Sequence, residues 1–199
     1  MGIRVSKAVL IGVAVVLVCG GAVVWAISSK DEPTTVNVGN PESKAVDYKQ
    51  ALAGAPPPLA KLYAKQDAII AGGVDELHRK LASVHGYPAV VNAWASWCGP
   101  CRFEFPHFQE AAAQVGKQVA FLGVDTDDSD AAARDYLDEL PLPYPSISDP
   151  GQDIFDEYNI RFGLPATGFY DSDGKLVFVK QGPYESTADL LADIKRYAS

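Results

Sequence analysis

The chain has 199 residues, of which 48% are hydrophobic, and it carries a formal net charge of −8. An acidic chain lacks the clustered positive charge with which proteins bind nucleic acid, so this class of partner is excluded. The three cysteines are too few for a scaffold held together by disulfides, and the length fits one compact domain plus an anchor.

The first residues predict a membrane anchor. Arg4 and Lys7 precede an uncharged apolar run over residues 8–27, and about twenty such residues are needed to span a bilayer. Positive charge before the run predicts a cytoplasmic N-terminus, with the rest of the chain outside the cell membrane. A cleaved signal peptide is the alternative, but the run is longer than the usual apolar core of about 7–15 residues. We therefore expect a single-pass anchor within residues 1–30.

The next stretch, residues 31–57, has the composition of a flexible linker. It is rich in proline and glycine, carries scattered charges and has few large apolar side chains. A folded domain is expected over residues 58–199. Within this domain, residues 59–70 fit either an edge strand or a short helix, and residues 74–85 carry apolar side chains at helical spacing.

A pair of cysteines lies where a predicted strand meets a predicted helix. Residues 88–95 are almost continuously apolar, which indicates a buried central strand, and residues 102–115 follow as a helix. The unpaired N–H groups and the positive dipole end of a helix's first turn favour a thiolate there. We therefore predict Cys98 as the nucleophile and Cys101, one turn further in, as the resolving thiol. The segment that joins the strand to the helix reads Trp97-Cys98-Gly99-Pro100-Cys101.

The residues between the two cysteines suit this chemistry. Pro100 falls in the first helical turn, where its missing N–H has no partner to lose, and Gly99 leaves the backbone open to a substrate chain. A structural disulfide and half of a zinc site are the alternatives. Zinc needs four ligands, whereas the one remaining cysteine, Cys19, lies inside the apolar run. The pattern indicates redox chemistry, with a Cys98–Cys101 disulfide and neither a metal nor another cofactor.

The longer sequence over residues 91–106, VNAWASWCGPCRFEFP, resembles the TlpA/ResA family of membrane-anchored, extracytoplasmic thioredoxin-like proteins. The resemblance covers about residues 57–199 and implies a thioredoxin-like α/β fold, in which helices flank a mixed central sheet. It implies a thiol–disulfide oxidoreductase that acts on protein thiols or disulfides, with the direction of electron flow left open. It also suggests apocytochrome c as a substrate and a membrane thiol-transfer protein as the redox donor. We expect a monomer.

One departure from the thioredoxin pattern concerns proton transfer. The position of Asn92 resembles the one at which thioredoxins carry a buried Asp that helps to move a proton to the inner cysteine. Asn cannot titrate. Glu104 is the candidate replacement, because it matches the Glu-Phe-Pro that follows the second cysteine in ResA-like proteins. The alternative is that Glu104 is an ordinary acid in a helix's first turns, stabilised by the helix dipole.

An acidic turn follows the next predicted strand. The strand covers residues 118–124 and the turn residues 125–130, whose spacing does not match an EF-hand calcium loop, so capping of the following helix is the favoured role. That helix, over residues 131–140, and a short strand over residues 146–149 form an insertion that again resembles the TlpA family. The remaining predicted elements are a helix over 153–159, strands over 167–170 and 175–180, and a helix over 186–197.

Residues 162–167 resemble the cis-proline loop that faces the cysteines in thioredoxin-like proteins. The resemblance implies a cis peptide bond before Pro165, and it makes Trp97 and Pro165 the apolar rims of a substrate groove. A trans proline that merely enters a strand is the alternative. An extended substrate would pair with the backbone of this loop as an added strand. The groups concerned belong to Leu164, Pro165, Ala166 and Thr167.

Two other activities that occur on this fold are alternatives. A peroxiredoxin-like peroxidase carries Pro-x-x-x-Thr/Ser-x-x-Cys, whereas Val91 and Ala95 occupy those positions before Cys98. A copper-binding chaperone of thioredoxin fold uses Cys-x-x-x-Cys and a distant His ligand. Here two residues separate the cysteines and no histidine follows His107. The sequence therefore favours disulfide exchange over both.

Overall fold

The structure is a computed structural model that describes residues 47–198. The predicted anchor within residues 1–30 and most of the predicted linker lie outside the described residues. Between residues 47 and 198, no helix is both long and apolar enough to cross a membrane.

Six strands form one mixed sheet with the spatial order β1-β4-β3-β2-β5-β6. The first four strands in this order are parallel, β5 is antiparallel to β2, and β6 is antiparallel to β5. The predicted mixed sheet is therefore confirmed. The strands are β1 (Ile69–Ile70), β2 (Ala89–Trp94), β3 (Ala120–Thr126), β4 (Ser146–Asp149), β5 (Ala166–Tyr170) and β6 (Leu176–Gln181).

Seven helices connect and flank these strands within the described part of the chain. The segment predicted as either strand or helix contains both, because α2 precedes β1, and the predicted insertion is present as α5 and β4. Helix α4 packs against α7, and α3 packs against α6. The helices are α1 (Tyr48–Ala51), α2 (Pro57–Tyr63), α3 (Gly73–Ser83), α4 (Gly99–Val115), α5 (Asp130–Glu139), α6 (Asp153–Glu157) and α7 (Thr187–Tyr197).

The folded region begins earlier than the predicted boundary at residue 58. Helix α1 lies inside the stretch predicted as a linker, and the Asp47 side chain caps it by accepting a hydrogen bond from the Gln50 N–H at 3.2 Å. Leu52 and Ala55, which follow this helix, pack against the core. The linker prediction thus fails for these residues, because a few apolar contacts with the core fix a segment whose composition alone resembles a linker.

The central strand β2 is buried along its whole length, as expected for a strand covered by helices on both faces. Its last residue, Trp94, stacks on Tyr136 of α5 and meets Phe105 of α4 edge-on, each with ring centroids 5.3 Å apart. The Trp94 indole N–H donates to the Ser146 hydroxyl at 3.1 Å. Gly123 on β3 makes room for this arrangement, since a Cβ there would lie 2.9 Å from the indole nitrogen. These contacts fix the end of β2, from which the cysteine segment departs.

Candidate functional site

The two cysteines lie at the start of α4 and are joined by a disulfide, with their Cα atoms 5.3 Å apart. Cys98 is the N-cap residue, and its Sγ accepts a hydrogen bond from the Cys101 N–H at 3.2 Å. Gly99 and Pro100 occupy the first helical positions, as predicted. Cys98 is 4% exposed and Cys101 is fully buried. The helix N-terminus therefore presents an N–H donor and a positive dipole end to the sulfur that retains some exposure.

The residues just before Cys98 are held by the turn that follows β3. The Ser96 N–H donates to Asp128 Oδ2 at 2.6 Å, and the Trp97 indole N–H donates to the Asp127 carbonyl at 3.0 Å. The Trp97 ring is nevertheless 61% exposed. Two hydrogen bonds to residues about thirty positions later thus fix the approach to the nucleophile while leaving an aromatic surface beside it.

The role predicted for the acidic turn, capping of the following helix, is confirmed, but Ser129 provides the cap and the aspartates do not. Ser129 is the N-cap of α5, and its hydroxyl accepts a hydrogen bond from the Ala132 N–H at 3.3 Å. Asp128 bridges two segments, because its Oδ1 accepts from the Ser129 N–H at 2.7 Å while its Oδ2 accepts from Ser96. The sequence carries no signal for this bridge, since it joins two loops that meet only once the sheet has formed.

The peptide bond between Leu164 and Pro165 is cis, as the resemblance implied. Ala166, at the start of β5, is paired with Ala93 near the end of β2, so this loop lies at the same edge of the sheet as the cysteine segment. The predicted substrate-contacting residues differ in exposure. Leu164 is partly exposed, whereas Pro165, Ala166 and Thr167 are buried. Ala166 and Thr167 are also paired with strands on both sides within the sheet.

Glu104 is a fully buried carboxyl group, located three residues after Cys101 on the same helix. Its Oε1 accepts a hydrogen bond from Asn92 Nδ2 at 2.8 Å, and its Oε2 accepts from the Tyr184 N–H at 3.0 Å. Burial raises the pKa of Glu104 to about 7, although these two hydrogen bonds and the nearby Lys180 charge favour its ionised form. Burial thus distinguishes Glu104 from an acid on the solvent-facing side of a helix's first turns.

Tyr184 and Lys180 are the members of this environment that sequence reasoning missed. The Lys180 ammonium lies 4.4 Å from the centre of the Tyr184 ring and donates to the Gly182 and Pro183 carbonyls at 2.9 and 2.8 Å. Neither residue belongs to a recognisable motif. Within residues 47–198, no group of three or more His, Cys, Asp or Glu side chains is arranged to hold a metal ion.

Comparison with known proteins places these features in a family. Residues 70–179 match the AhpC/TSA family. The thiol-disulfide oxidoreductase ResA of Oceanobacillus iheyensis is 30% identical over 110 residues, which cover 55% of this chain and 57% of that protein. The thiol:disulfide interchange protein DsbE of Pseudomonas aeruginosa is 35% identical over 131 residues, covering 64% and 66% of the two chains. The chain thus spans little more than half the length of the ResA relative.

A solved structure supports the same assignment. The secreted disulfide oxidoreductase of Mycobacterium tuberculosis that is homologous to Escherichia coli DsbE superposes with a TM-score of 0.51 at 27% sequence identity. The superposition covers 58% of this chain and 85% of that protein. The predicted similarity to ResA-like proteins and the thioredoxin-like α/β fold are confirmed. Because the family match spans more than half of its length, the chain belongs to the AhpC/TSA family.

Proposed function

We propose that the protein is a thiol–disulfide oxidoreductase that exchanges the Cys98–Cys101 dithiol or disulfide with cysteines of protein substrates. The observation that carries this proposal is the disulfide at the N-terminus of α4, where Cys98 Sγ accepts the Cys101 N–H. The same donor and the helix dipole would stabilise a Cys98 thiolate once the disulfide is reduced. The names of the ResA and DsbE relatives support the same reaction class.

The exchange proceeds through a mixed disulfide. In the reduced protein, the Cys98 thiolate attacks one sulfur of a substrate disulfide, that S–S bond breaks, and the departing substrate sulfur takes up a proton. The Cys101 thiolate then attacks Cys98 Sγ, which restores the Cys98–Cys101 disulfide and releases the second substrate thiol. Two electrons and two protons pass to the substrate. The reverse sequence oxidises a substrate dithiol.

Glu104 is proposed as the acceptor of the Cys101 proton in the second step. Both groups are fully buried and lie one helical turn apart, and a carboxyl group with a pKa of about 7 exchanges its proton near neutral pH. A Glu104→Gln variant should therefore change the thiol titration and slow exchange. Glu110→Gln, which alters an exposed acid on the same helix, is the matched control. If Glu104→Gln leaves both the titration and the exchange rate unchanged, Glu104 has no part in proton transfer.

The exposed surface beside the disulfide supports a protein substrate. Trp97, Phe103 and Phe162 are 61%, 58% and 86% exposed, and large apolar side chains that remain exposed in this way commonly mark interaction surfaces. We propose that Trp97 and Leu164 contact the substrate chain, together with Gly99 and Pro100 at the start of α4. The buried residues Pro165, Ala166 and Thr167 then lie beneath the groove and support its surface.

The proposed location is outside the cytoplasm, on a single membrane anchor within residues 1–30, with the protein acting as a monomer. The charged residues Arg4 and Lys7 before an apolar run support the anchor. The secreted relative from Mycobacterium tuberculosis supports the location. The resemblance to ResA-like proteins supports the reduction of apocytochrome c thiols, with a membrane thiol-transfer protein as the donor.

The activity is tested on the full chain carrying Cys19→Ser, which leaves only the two site cysteines. We expect it to accelerate the reduction of insulin disulfides by dithiothreitol, and Cys98→Ser should abolish this effect. Cys101→Ser should trap disulfide-linked partners, because the mixed disulfide then has no resolving thiol. Consumption of hydrogen peroxide without insulin reduction would instead support the peroxidase alternative, which the residues Val91 and Ala95 disfavour.

A further inference from the structure

Asp125, near the end of β3, has a buried carboxyl group that accepts no hydrogen bond. The residue is 1% exposed, and neither of its carboxyl oxygens receives a hydrogen bond from any N–H or O–H group of the described residues. An ionised carboxylate in such a position is strongly disfavoured, because it has lost its water and gained no partner. The usual solution is for the group to keep its proton.

The charged groups that face Asp125 are all acidic. They come from three elements: Asp128 in the turn after β3, Asp130 at the start of α5, and Asp149 at the end of β4. Asp130 pairs with Arg134 at 3.1 Å. Asp149 accepts three hydrogen bonds of its own at 3.0–3.1 Å. Burial and the three neighbouring charges raise the pKa of Asp125 to about 8.

A proton on Asp125 would complete a hydrogen-bond chain that ends at the nucleophile segment. The Asp125 carboxyl group faces that of Asp128, three residues later, and two ionised carboxylates could only repel. A protonated Asp125 can act as a donor to Asp128, whose Oδ2 accepts the Ser96 N–H at 2.6 Å. Ser96 lies two residues before Cys98.

We propose that Asp125 is a positioning residue for the cysteine pair: in its protonated form it donates a hydrogen bond to Asp128 and thereby holds residues 96–97 in place before Cys98. This role rests on the proposed thiol–disulfide function of the pair. When Asp125 loses its proton, the bond to Asp128 becomes a repulsion between a buried and a half-buried carboxylate. The segment before Cys98 loosens, and an added negative charge disfavours the Cys98 thiolate.

Two substitutions separate the hydrogen bond from the charge. Asp125→Ala removes the donor and the charge together, whereas Asp125→Asn removes the charge but retains an N–H donor at every pH. The readout is the rate at which iodoacetamide alkylates Cys98, measured between pH 6 and about pH 9.5 in full chains that carry Cys19→Ser and Cys101→Ser. Asp135→Asn, an exposed acid on α5, is the matched control. Circular dichroism confirms that each variant is folded.

At pH 7 we expect Asp125→Ala to lower the alkylation rate of Cys98 by about tenfold, the equivalent of one charge-assisted hydrogen bond, and Asp125→Asn to restore most of it. Above pH 8 the parent chain should fall behind Asp125→Asn by severalfold, because only the parent can ionise. Equal rates for the Ala and Asn variants at pH 7, or parallel pH profiles for the parent and Asp125→Asn, would overturn the proposal. Alkylation does not require disulfide exchange, so the insulin assay judges the proposed function separately.

Discussion

Replacing Glu104 by Gln should change how the stability of the protein depends on pH. The pKa of Glu104 lies at about 7 in the folded protein, against 4.5 for an ordinary glutamate, so the folded state binds this proton more tightly than the unfolded state. Stability must then fall as the pH rises between these two values. The contribution is fully present below pH 4.5 and is lost above about pH 7. A glutamine cannot titrate, so the variant should lack this slope.

The expected size follows from the shift and from the hydrogen bonds. About 2.5 pKa units correspond to about 3 kcal/mol of unfolding free energy. Glutamine retains one carbonyl acceptor for the N–H groups of Asn92 and Tyr184, which leaves one buried donor unpaired at a cost of about 1–3 kcal/mol. The variant should therefore be the less stable protein at pH 4.5. By pH 8 the difference should vanish or reverse.

The assay is chemical denaturation of the oxidised protein at intervals from pH 4 to pH 8.5, followed by far-ultraviolet circular dichroism. The quantity compared is the difference in unfolding free energy between Glu104→Gln and the parent chain. Glu110→Gln, on the exposed side of the same helix, should run parallel to the parent. A constant difference between Glu104→Gln and the parent over this range would refute the reasoning, because it would mean that Glu104 titrates alike in both states.

Two further outcomes are expected. Gly123→Ala should lower the unfolding free energy by about 1–3 kcal/mol, since its methyl group would collide with the Ser146 hydroxyl and the Trp94 indole. Gly99→Ala, whose added carbon meets no other segment of the protein within 4 Å, should leave stability unchanged in the same denaturation experiment. In intact cells a membrane-impermeant maleimide should label reduced Cys98, because the charges before the apolar run predict an external domain; labelling confined to lysates would contradict that topology.

The parts of the fold that the sequence predicted well are those governed by local pattern. The continuous apolar run of β2 and the cysteines at the start of α4 are local signals, and both elements lie where the pattern indicated. The cis bond before Pro165 followed from a family resemblance, which carries information that composition lacks. Helix α1 was missed because the residues that pack against the core, Leu52 and Ala55, follow it in a stretch that has the composition of a linker.

The environment of the site was less predictable, because it depends on contacts between distant parts of the chain. Glu104 was recognised as a candidate, but its burial depends on Tyr184, 80 positions later. For Asp125 and Asp128 the sequence predicts only an acidic turn that caps the next helix, since four aspartates in six residues normally face water. The burial of Asp125 and the contact between Asp128 and Ser96 arise only when β3 pairs with β2. The sequence pattern therefore identifies the reactive cysteines, whereas the burial and contacts of the acidic residues around them are identified only from the tertiary structure.

The two-residue strand β1 has a consequence for the order in which the protein folds. It joins the sheet only through β4, and the adjacent contact between Asp67 and Leu142 spans 75 positions of the chain. The entropy cost of closing so long a loop exceeds what two paired residues contribute until the partner strand is in place. Strands β5 and β6 are neighbours in sequence, so they can pair early in folding. As the chain emerges from the ribosome, β1 can therefore dock only after β4, in the C-terminal half, has been synthesised.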